Sequence, residues 1–588
     1  MQPFACLLYC GSQIIVPDIT FATTRRAFTF GLAVLAASPA IAEARRSGRY
    51  DVIVRGGMLF NGLGGAPREA DLGIVDDKIA AIGNLRSASA ALEIDARGQA
   101  VAPGFINMLS WANESLIEDG RSQSDIRQGV TLEVMGEGWS MGPLNAEMKR
   151  RERKAQDDIE FDIGWTSLAD YLGFLEAKGV SCNVAFFVGA TTVRQHEVGY
   201  DDVRATPEQR RRMQDLVRAE MRGGALGVGS SLIYAPGNFA NTDELVALTQ
   251  AAAEFGGGYI SHMRSEAGGY LESIDELIEI GRRAKARVQM YHIKPSGRDN
   301  WGKADAGLAR MDAARRAGVD ISANLYTYTA GSTGLYATMP LWVQQGGHNA
   351  LVARLKDPAI RARVLAEMRG TPQGWENTLR EAGSPERVLL IGFKNPKLKP
   401  LTGMTLAQVA AQRGHSPEDT IIDLIIEDDS RVDAVYFLMT EENIRKNIQW
   451  PWTMLGSDAG SLAPEGKFLL KSTHPRAYGN FARFLGKYIR EEKVIGLAEG
   501  IRRLTSLSAQ QIGIRGRGRL AAGYAADVVV FDPAKVADTA TYDKPHSYAV
   551  GVSDVLVNGA AVLRGGEHTD AQPGRFVKGP GWLRGQAT

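Results

Sequence analysis

The chain has 588 residues, of which 44% are apolar, and this is ample for a large buried core and at least one extended domain. Its 68 Lys and Arg residues nearly balance 67 Asp and Glu residues. No basic excess favours nucleic acid as a partner, and no long charge run indicates an interaction tail. Composition therefore predicts a globular protein and gives no indication of a nucleic-acid partner.

The first 46 residues are typical of a targeting segment. Arg25 and Arg26 precede an apolar run that begins at Phe30, and an Ala-Ile-Ala sequence ending at Ala42 fits a cleavage site. The run is too short to span a bilayer, which disfavours a membrane anchor. The paired arginines resemble a twin-arginine signal. We therefore expect residues 1–46 to direct export to the periplasm, with cleavage after about Ala42 and no membrane contact afterwards.

Short strands are predicted at both ends of the remaining chain. Residues 47–104 alternate Val and Ile with polar residues, as in "YDVIVRGGMLF", and residues 506–588 repeat this texture in "GYAADVVVFDP". We expect one small β-sandwich domain assembled from both ends. Only one cysteine, Cys182, lies outside the signal, so this chain is expected to fold without an internal disulfide.

The middle of the chain, residues 105–505, alternates predicted strands with helices. Eight buried strands with helices between them favour a (β/α)8 TIM barrel within the α/β class. An open doubly wound sheet is the runner-up, but it would need a Gly-rich phosphate loop after an early strand, and none is present in that context. Residues 329–452 form a long insertion before the last strand, which we interpret as a subdomain over the barrel mouth. The eight candidate strands are "AVAPGFIN", "VTLEVMGE", "NVAFFVGA", "ALGVGSSLIY", "GGYISHMR", "RVQMYHIK", "DISANLYTY" and "TMLGSDAG".

Two of the predicted helices carry clear boundary signals. The stretch "TPEQRRRMQDLVRAEMRGG" has a Thr cap, a Pro in its first turn and Gly after its end. The stretch "TDELVALTQAAAEFGGG" repeats that arrangement. In the insertion, "NALVARLKDPAIRARVLAEMRG" is also predicted to be helical.

Four titratable residues lie at the predicted ends of barrel strands, where such barrels place their active sites. Glu137 ends strand two, His262 strand five, His292 strand six and Asp458 strand eight. Each has an ordinary structural explanation by itself, such as a helix cap for Asp458. Together, two imidazoles and one carboxylate form a ligand set suited to Zn²⁺ with an open position for water. The fourth group, a carboxylate beside that water, is suited to act as general base and acid.

At this point the chain resembles the D-aminoacylase group, the N-acyl-D-amino-acid deacylases, of the amidohydrolase superfamily. The resemblance spans residues 50 to about 575 in the right order. It implies a TIM barrel with a two-ended β-sandwich, and hydrolysis of an acylated amino acid at zinc. The stretches that carry it include "GALGVGSSLIYAPG", "ISHMRSEAGG", "NLYTYTAGSTGL", "MLGSDAG" and "HPRAYGNFARFLGKYIREE".

Residue roles follow from the resemblance motif by motif. His262 and His292 match the ligands of the more tightly held metal, and Asp458 matches the catalytic aspartate. Lys294 is expected to bind the substrate carboxylate. The other expected substrate contacts are Tyr234, Tyr326 and His474, although His474 in "HPR" has a structural role as its alternative.

Two departures from the family pattern concern the metal. The strand-one His-x-His of the family is Leu109-x-Trp111 here, with Asn107 in place of Asp. Separately, strand four lacks the Lys that bridges two metals in many members of the superfamily. The family's Cys ligand is replaced by Glu137. A hard oxygen ligand keeps zinc as the first expectation but makes Mn²⁺ or Co²⁺ conceivable. We expect one divalent ion rather than two, with Trp111 forming part of an apolar wall beside it.

The sequence thus predicts metal-dependent hydrolysis of N-acyl amino acids, of the D series by resemblance. Alternatives on the same scaffold are a dipeptidase or a lactonase, and a non-catalytic exported binding protein is a third class. The expected partner is a small-molecule substrate with a free carboxylate, without nucleic acid or membrane. The sequence leaves open the oligomeric state, the identity of the metal, the acyl group and side chain of the substrate, and the preference for D or L amino acids.

Overall fold

The computed structural model describes residues 39–585. The predicted signal segment therefore lies outside the described residues up to residue 38. Within residues 39–585, no helix has the length and apolar character needed to cross a membrane. The first described element is a helix, Pro39–Ser47, whose Ile41 and Ala44 are buried against the strands that follow it.

The elements are numbered in chain order. The strands are β1 (Arg49–Leu59), β2 (Arg68–Val75), β3 (Lys78–Gly83), β4 (Ser89–Asp95), β5 (Ala100–Pro103), β6 (Phe105–Asn107), β7 (Val130–Met135), β8 (Asn183–Phe186), β9 (Val188–Gly189), β10 (Gly227–Ser231), β11 (Gly258–His262), β12 (Val288–Met290), β13 (Ile321–Leu325), β14 (Gly331–Gly334), β15 (Val388–Gly392), β16 (Asp433–Tyr436), β17 (Thr453–Leu455), β18 (Val528–Phe531), β19 (Val552–Val557), β20 (Ala560–Arg564) and β21 (Glu567–His568). The α-helices are α1 (Pro39–Ser47), α2 (Ser115–Glu118), α3 (Gln123–Ile126), α4 (Ala146–Ala155), α5 (Leu168–Lys178), α6 (Ala190–Glu197), α7 (Pro207–Gly223), α8 (Thr242–Ala253), α9 (Tyr270–Ala284), α10 (Ala304–Arg316), α11 (His348–Leu355), α12 (Pro358–Arg369), α13 (Thr378–Ala382), α14 (Leu406–Arg413), α15 (Pro417–Asp428), α16 (Glu441–Gln449), α17 (Arg476–Arg483), α18 (Leu497–Arg502), α19 (Ser508–Gln511) and α20 (Pro580–Gly585). Two wider π-helical segments, Phe484–Glu491 and Arg503–Leu507, continue α17 and α18.

The central barrel consists of parallel strands in chain order. β6 pairs with β7 and β7 with β8, while β9 continues β8 and pairs with β10, and the series runs on through β11, β12 and β13 to β17. The ring closes where the Met108 N–H donates to the Leu455 carbonyl at 2.9 Å. This arrangement confirms the predicted (β/α)8 barrel, and the carboxyl ends of all its strands meet at one mouth.

A separate nine-stranded sheet joins the two ends of the chain. β1 to β5 come from its N-terminal part and β18 to β21 from its C-terminal part. The junction is the antiparallel pair of β5 and β18, in which Pro103 lies opposite Val528. Its buried face is rich in Val, Ile and Leu, which explains why the two ends associate.

The insertion between β13 and β17 has its own small sheet, in the order β14–β16–β15, with helices packed on it. Its longest predicted helical stretch is two helices, α11 and α12, rather than one. Pro358 cannot continue α11, and Asp357 caps α12 by accepting hydrogen bonds from the N–H groups of Ala359 and Ile360. Side chains of the insertion reach the barrel mouth and form one wall of the cavity there.

Local sequence signals account for the helix boundaries. The predicted Thr cap of α7 is Thr206, which forms a reciprocal capping box with Gln209, and the predicted glycine after its end is Gly224, in a left-handed conformation. At α8 the predicted Thr cap is wrong. The cap is Asn241, whose side chain accepts from the Glu244 N–H at 2.8 Å, because Asn caps better than Thr and precedes it by one residue.

Candidate metal centre and active site

The four strand-end residues predicted from the sequence meet at the barrel mouth. His262 is the last residue of β11, and Glu137, His292 and Asp458 lie two or three residues beyond β7, β12 and β17. Glu137 lies in a tight turn between Gly136 and Gly138, which have φ angles of 111° and 77°. A Cβ on Gly136 would lie 2.3 Å from the Phe187 carbonyl oxygen, so this turn requires glycine.

Three donor atoms converge on one point. Oε1 of Glu137 lies 2.8 Å from Nδ1 of His262 and 3.0 Å from Nε2 of His292. All three side chains are buried, and one ligand atom from each lies within 4.8 Å of the other two. Two imidazole nitrogens and a carboxylate oxygen fit a divalent ion such as Zn²⁺, Mn²⁺ or Co²⁺. These residues therefore offer a site for one such ion.

The charges of this group depend on one another. Burial by itself would raise the pKa of Glu137, but His292 and His262 outweigh it and hold that pKa far below its usual range. Burial and Lys294 act to lower the pKa of His292, yet Glu266 and Glu137 raise it to about 9. The site thus keeps Glu137 ionised, which is the state in which a carboxylate binds a cation.

Glu266 is a site residue that the sequence did not reveal. Its Oε1 lies 3.0 Å from Nδ1 of His292 and accepts a hydrogen bond from Nζ of Lys294 at 2.7 Å. A carboxylate on the far nitrogen of a ligand histidine fixes the tautomer and the orientation of the ring. The only sequence signal was its position four residues after His262 in "ISHMRSEAGG".

Lys294 lines the cavity in which it is expected to bind the substrate carboxylate. Its ammonium is buried and bound to Glu266, and it lies 2.8 Å from Nδ1 of His292. A substrate carboxylate would have to compete with Glu266 for this ammonium. In this structure Glu266 holds Lys294 beside His292, and binding of the substrate carboxylate by Lys294 stays a prediction.

Asp458 is held in a strained backbone conformation beside the three ligands. Its φ of 52° is unusual for a residue other than glycine, and His292 shares this feature with a φ of 33°. Burial raises the pKa of Asp458 and nearby Arg476 opposes this. The preceding residue, Ser457, is held in place because its N–H donates to Oδ1 of Asn107 at 2.8 Å. The Asn that replaces the family's Asp thus positions the loop that carries Asp458.

Trp111 lies beside the ligands as expected, but its contact is polar as well as apolar. Its indole N–H donates to Oε2 of Glu137 at 2.9 Å and lies 3.1 Å from Oδ1 of Asp458. Leu109 is fully buried in the barrel interior. The stretch that lacks the family's His-x-His therefore supplies a hydrogen-bond donor in addition to apolar volume.

A cavity of about 490 Å³ opens above the centre and holds the remaining predicted contacts. The Tyr234 hydroxyl donates to Oγ1 of Thr333 in the insertion at 2.9 Å, and its ring lies 5.4 Å from that of His262. The ring of Tyr326 is buried near Lys294 and Arg476. Nε2 of His474 is hydrogen-bonded to the Ala330 carbonyl, and Nδ1 accepts the N–H of Arg476. Neither nitrogen is left for a substrate. Its contacts match the structural alternative.

Arg476 is the second residue that the sequence did not reveal. Its guanidinium is buried in the cavity wall, 4.5 Å from the ring centroid of Tyr326. Nη1 lies 2.8 Å from Oδ2 of Asp458 as an ion pair without a well-aligned hydrogen bond, and Nε has no hydrogen-bond partner. Arg476 lines the cavity, and its positive charge would attract an anionic group that enters there. The signal was an Arg two residues after His474 in "HPR".

Comparison with known proteins agrees with this geometry. Residues 92–563 match the family model described as "Amidohydrolase family". The chain is 33% identical over 532 residues to D-aminoacylase from Alcaligenes xylosoxydans xylosoxydans, covering 90% of this chain and 97% of that protein. The chain belongs to the amidohydrolase family, in its D-aminoacylase group. It is therefore a metal-dependent hydrolase that acts on amide C–N bonds.

Solved structures of related proteins show the same fold. N-acyl-D-glutamate deacylase from Bordetella bronchiseptica, complexed with zinc and a phosphonate mimic of the tetrahedral intermediate, has a TM-score of 0.74 and 31% identity, covering 90% of this chain and all (100%) of that one. A D-aminoacylase structure described by "one-metal activation and second-metal attenuation" of a binuclear centre has a TM-score of 0.73, 31% identity and the same coverage. The expected fold, a TIM barrel with a small sheet domain, is confirmed.

Proposed function

We propose that this enzyme hydrolyses N-acyl-D-amino acids to a carboxylic acid and a free D-amino acid. The observation that carries the proposal is the convergence of Glu137, His262 and His292 beside Asp458 under one cavity. The substrate class comes from the relatives, which act on N-acylated D-amino acids by name.

The site residues have two kinds of role, metal binding and proton transfer. Glu137, His262 and His292 would hold a divalent ion, which would supply Lewis-acid polarisation of the scissile carbonyl and would lower the pKa of a bound water. Asp458 takes the proton from the attacking water and returns it to the leaving amine. Its buried position and strained backbone hold its carboxylate beside the ligands, which limits the motion needed for transfer.

Arg476 is placed to bind the substrate carboxylate. Its Nε lacks a hydrogen-bond partner, and the guanidinium lies against the Tyr326 ring in the cavity wall. A planar guanidinium matches a carboxylate with two parallel hydrogen bonds, which fixes the orientation of the substrate. Lys294, already bound to Glu266, acts through His292 instead.

A paired panel tests the proposal. The metal-loaded enzyme is assayed with matched N-acyl-D and N-acyl-L amino acids, dipeptides and lactones. We expect turnover of the N-acyl-D series, and a fall in kcat of about 10²- to 10⁴-fold for Asp458→Asn with unchanged metal content. Full activity of that variant would falsify the role of Asp458, and turnover of dipeptides or lactones alone would identify the alternative substrates.

We also propose that the protein is exported through the twin-arginine signal. Support comes from Arg25, Arg26 and the apolar run before Ala42. Cleavage after Ala42 would cut α1 and release Ile41, which packs against the small sheet. N-terminal sequencing of protein from the periplasmic fraction is expected to find a start near residue 43, and protein confined to the cytoplasm with its full N-terminus would contradict export.

A further inference from the structure

Glu137 is a ligand with two oxygens where a thiolate would present one atom. A carboxylate can bind a cation through one oxygen or through both. If both oxygens bound, Glu137 would take up a coordination position that the attacking water needs, since catalytic sites of this kind keep an open position. Something in this chain must therefore decide how Glu137 binds.

The contacts of the two oxygens differ sharply. Oε1 faces the two histidine nitrogens at 2.8 and 3.0 Å. Oε2 accepts the indole N–H of Trp111 at 2.9 Å. The same N–H lies 3.1 Å from Oδ1 of Asp458, so one donor is shared by the ligand and the general base. The other oxygen of Asp458, Oδ2, is paired with Arg476 at 2.8 Å.

We propose that Trp111 is a positioning residue that keeps Glu137 a one-oxygen ligand and fixes Asp458 beside it. Its N–H takes one of the two lone pairs of Oε2 and holds the carboxylate with Oε1 toward the two histidines. The indole also sets the spacing between the two carboxylates, which would otherwise repel each other. The indole N–H thus makes Glu137 bind through one atom, as the family's Cys does. It also stands where the family has its strand-one His-x-His. The inference rests on the proposed function only for the role of Asp458.

The decisive measurement uses Co²⁺ in place of the native ion, because its visible absorption reports coordination number without any substrate. Trp111→Phe keeps an aromatic ring and removes the donor. We expect one bound Co²⁺ per chain in the parent and in the variant, with weaker visible absorption in the variant as Glu137 gains a second metal–oxygen bond. We also expect kcat to fall about 10- to 100-fold, with a smaller change in KM.

Glu137→Cys provides the coupling test. A Cys at this position has one ligand atom and no free oxygen, so Trp111→Phe in that background is expected to leave the cobalt spectrum nearly unchanged. A double-mutant cycle of this kind separates an effect through Glu137 from a general disturbance of the site. Equal spectral changes in both backgrounds would overturn the proposal.

Trp342→Phe is the matched control. The Trp342 indole N–H also donates to a carboxylate at 2.9 Å, that of Glu367, but in the insertion and away from the cavity. Its cobalt spectrum and kcat are expected to equal those of the parent. An unchanged spectrum and unchanged kcat in Trp111→Phe, with its thermal unfolding like that of Trp342→Phe, would refute the inference. Failure of the N-acyl-D substrates alone would leave the spectral result standing and would count against the proposed function instead.

Discussion

At the scale of single residues, the metal centre depends on groups that do not touch the ion. Glu266 and Lys294 lie behind His292, and Trp111 lies behind Glu137. Each of these outer groups limits the ligand to one orientation, so the ligand atoms are already directed at one point. The affinity for metal should therefore depend on buried hydrogen bonds as much as on the ligands themselves.

Glu266→Gln tests this dependence. The amide keeps the shape of the side chain but removes the charge that orients His292 and pairs with buried Lys294. We expect metal affinity to fall about 10- to 100-fold, measured by competition with a chelator. Glu272→Gln, an exposed change on the nearby helix α9, is the control. Unaltered affinity in Glu266→Gln would show that Glu266 does not orient the ligand.

Glu137→Cys tests the choice of metal. A thiolate is a softer ligand than a carboxylate, so the variant should prefer Zn²⁺ over Mn²⁺ more strongly than the parent does. We expect the ratio of the two dissociation constants to rise at least about tenfold in favour of zinc, measured by calorimetric competition. An unchanged ratio would mean that the two histidines, rather than residue 137, decide metal preference.

At the scale of elements, the strand ends that carry the site follow directly from sequence patterns, while their partners do not. Apolar runs ending in Glu137, His262, His292 and Asp458 predicted which side chains meet at the barrel mouth. Short-range signals also predicted α7 and its caps. Two predicted helix boundaries were wrong, the start of α8 at Asn241 and the break between α11 and α12 at Pro358. Capping and proline act at single positions, whereas the helical pattern was judged over a long stretch.

The contact between α5 and α7 allows a prediction about pH. Glu220 on α7 is buried and accepts the Leu168 N–H at the start of α5 at 3.1 Å, and burial raises its pKa to about 7. The unfolded chain releases this proton above about pH 4.5, but the folded chain keeps it until about pH 7. The unfolded state thus binds fewer protons in this window, so Glu220 costs stability progressively as pH rises through it.

Glu220→Gln removes that cost and keeps an oxygen for the Leu168 N–H. We expect the free energy of unfolding of the variant relative to the parent to rise from near zero at pH 5 to roughly 1–3 kcal/mol at pH 8. Denaturant titration at both pH values measures it. Glu208→Gln, at the exposed end of the same helix, should show no such trend. A gain that is equal at both pH values would exclude titration of Glu220 as its source.

At the scale of the whole molecule, the small sheet is tied to the barrel by a buried polar junction. Asp527, just before β18, is ion-paired with Arg517 and accepts the Asn558 N–H at 2.9 Å. Asn183, the first residue of β8, links to both Asp527 and Asn558. Residues far apart in the chain thus share one set of hydrogen bonds, and this couples the two domains.

Asp527→Ala should therefore destabilise the entire fold. It leaves the guanidinium of Arg517 partly buried without its partner, and we expect a loss of about 3–5 kcal/mol in the free energy of unfolding. Asp95→Ala removes the exposed partner of Arg97 in the same sheet and should change stability little, because water screens that pair. A similar small loss in both variants would show that the junction does not couple the domains.

The sequence by itself determined the barrel, the joining of the two ends and the grouping of Glu137, His262, His292 and Asp458, because apolar periodicity and strand ends are local properties. Only the tertiary structure showed that Glu266 contacts His292 and that Arg476 is paired with Asp458. It also showed that the Trp111 N–H lies against the carboxylates of Glu137 and Asp458. Trp111 is 26 residues from Glu137 and 347 from Asp458, and no local pattern records such contacts. Trp111 forms the expected apolar surface and is also a shared hydrogen-bond donor, and the direction of its N–H bond depends on packing from distant strands.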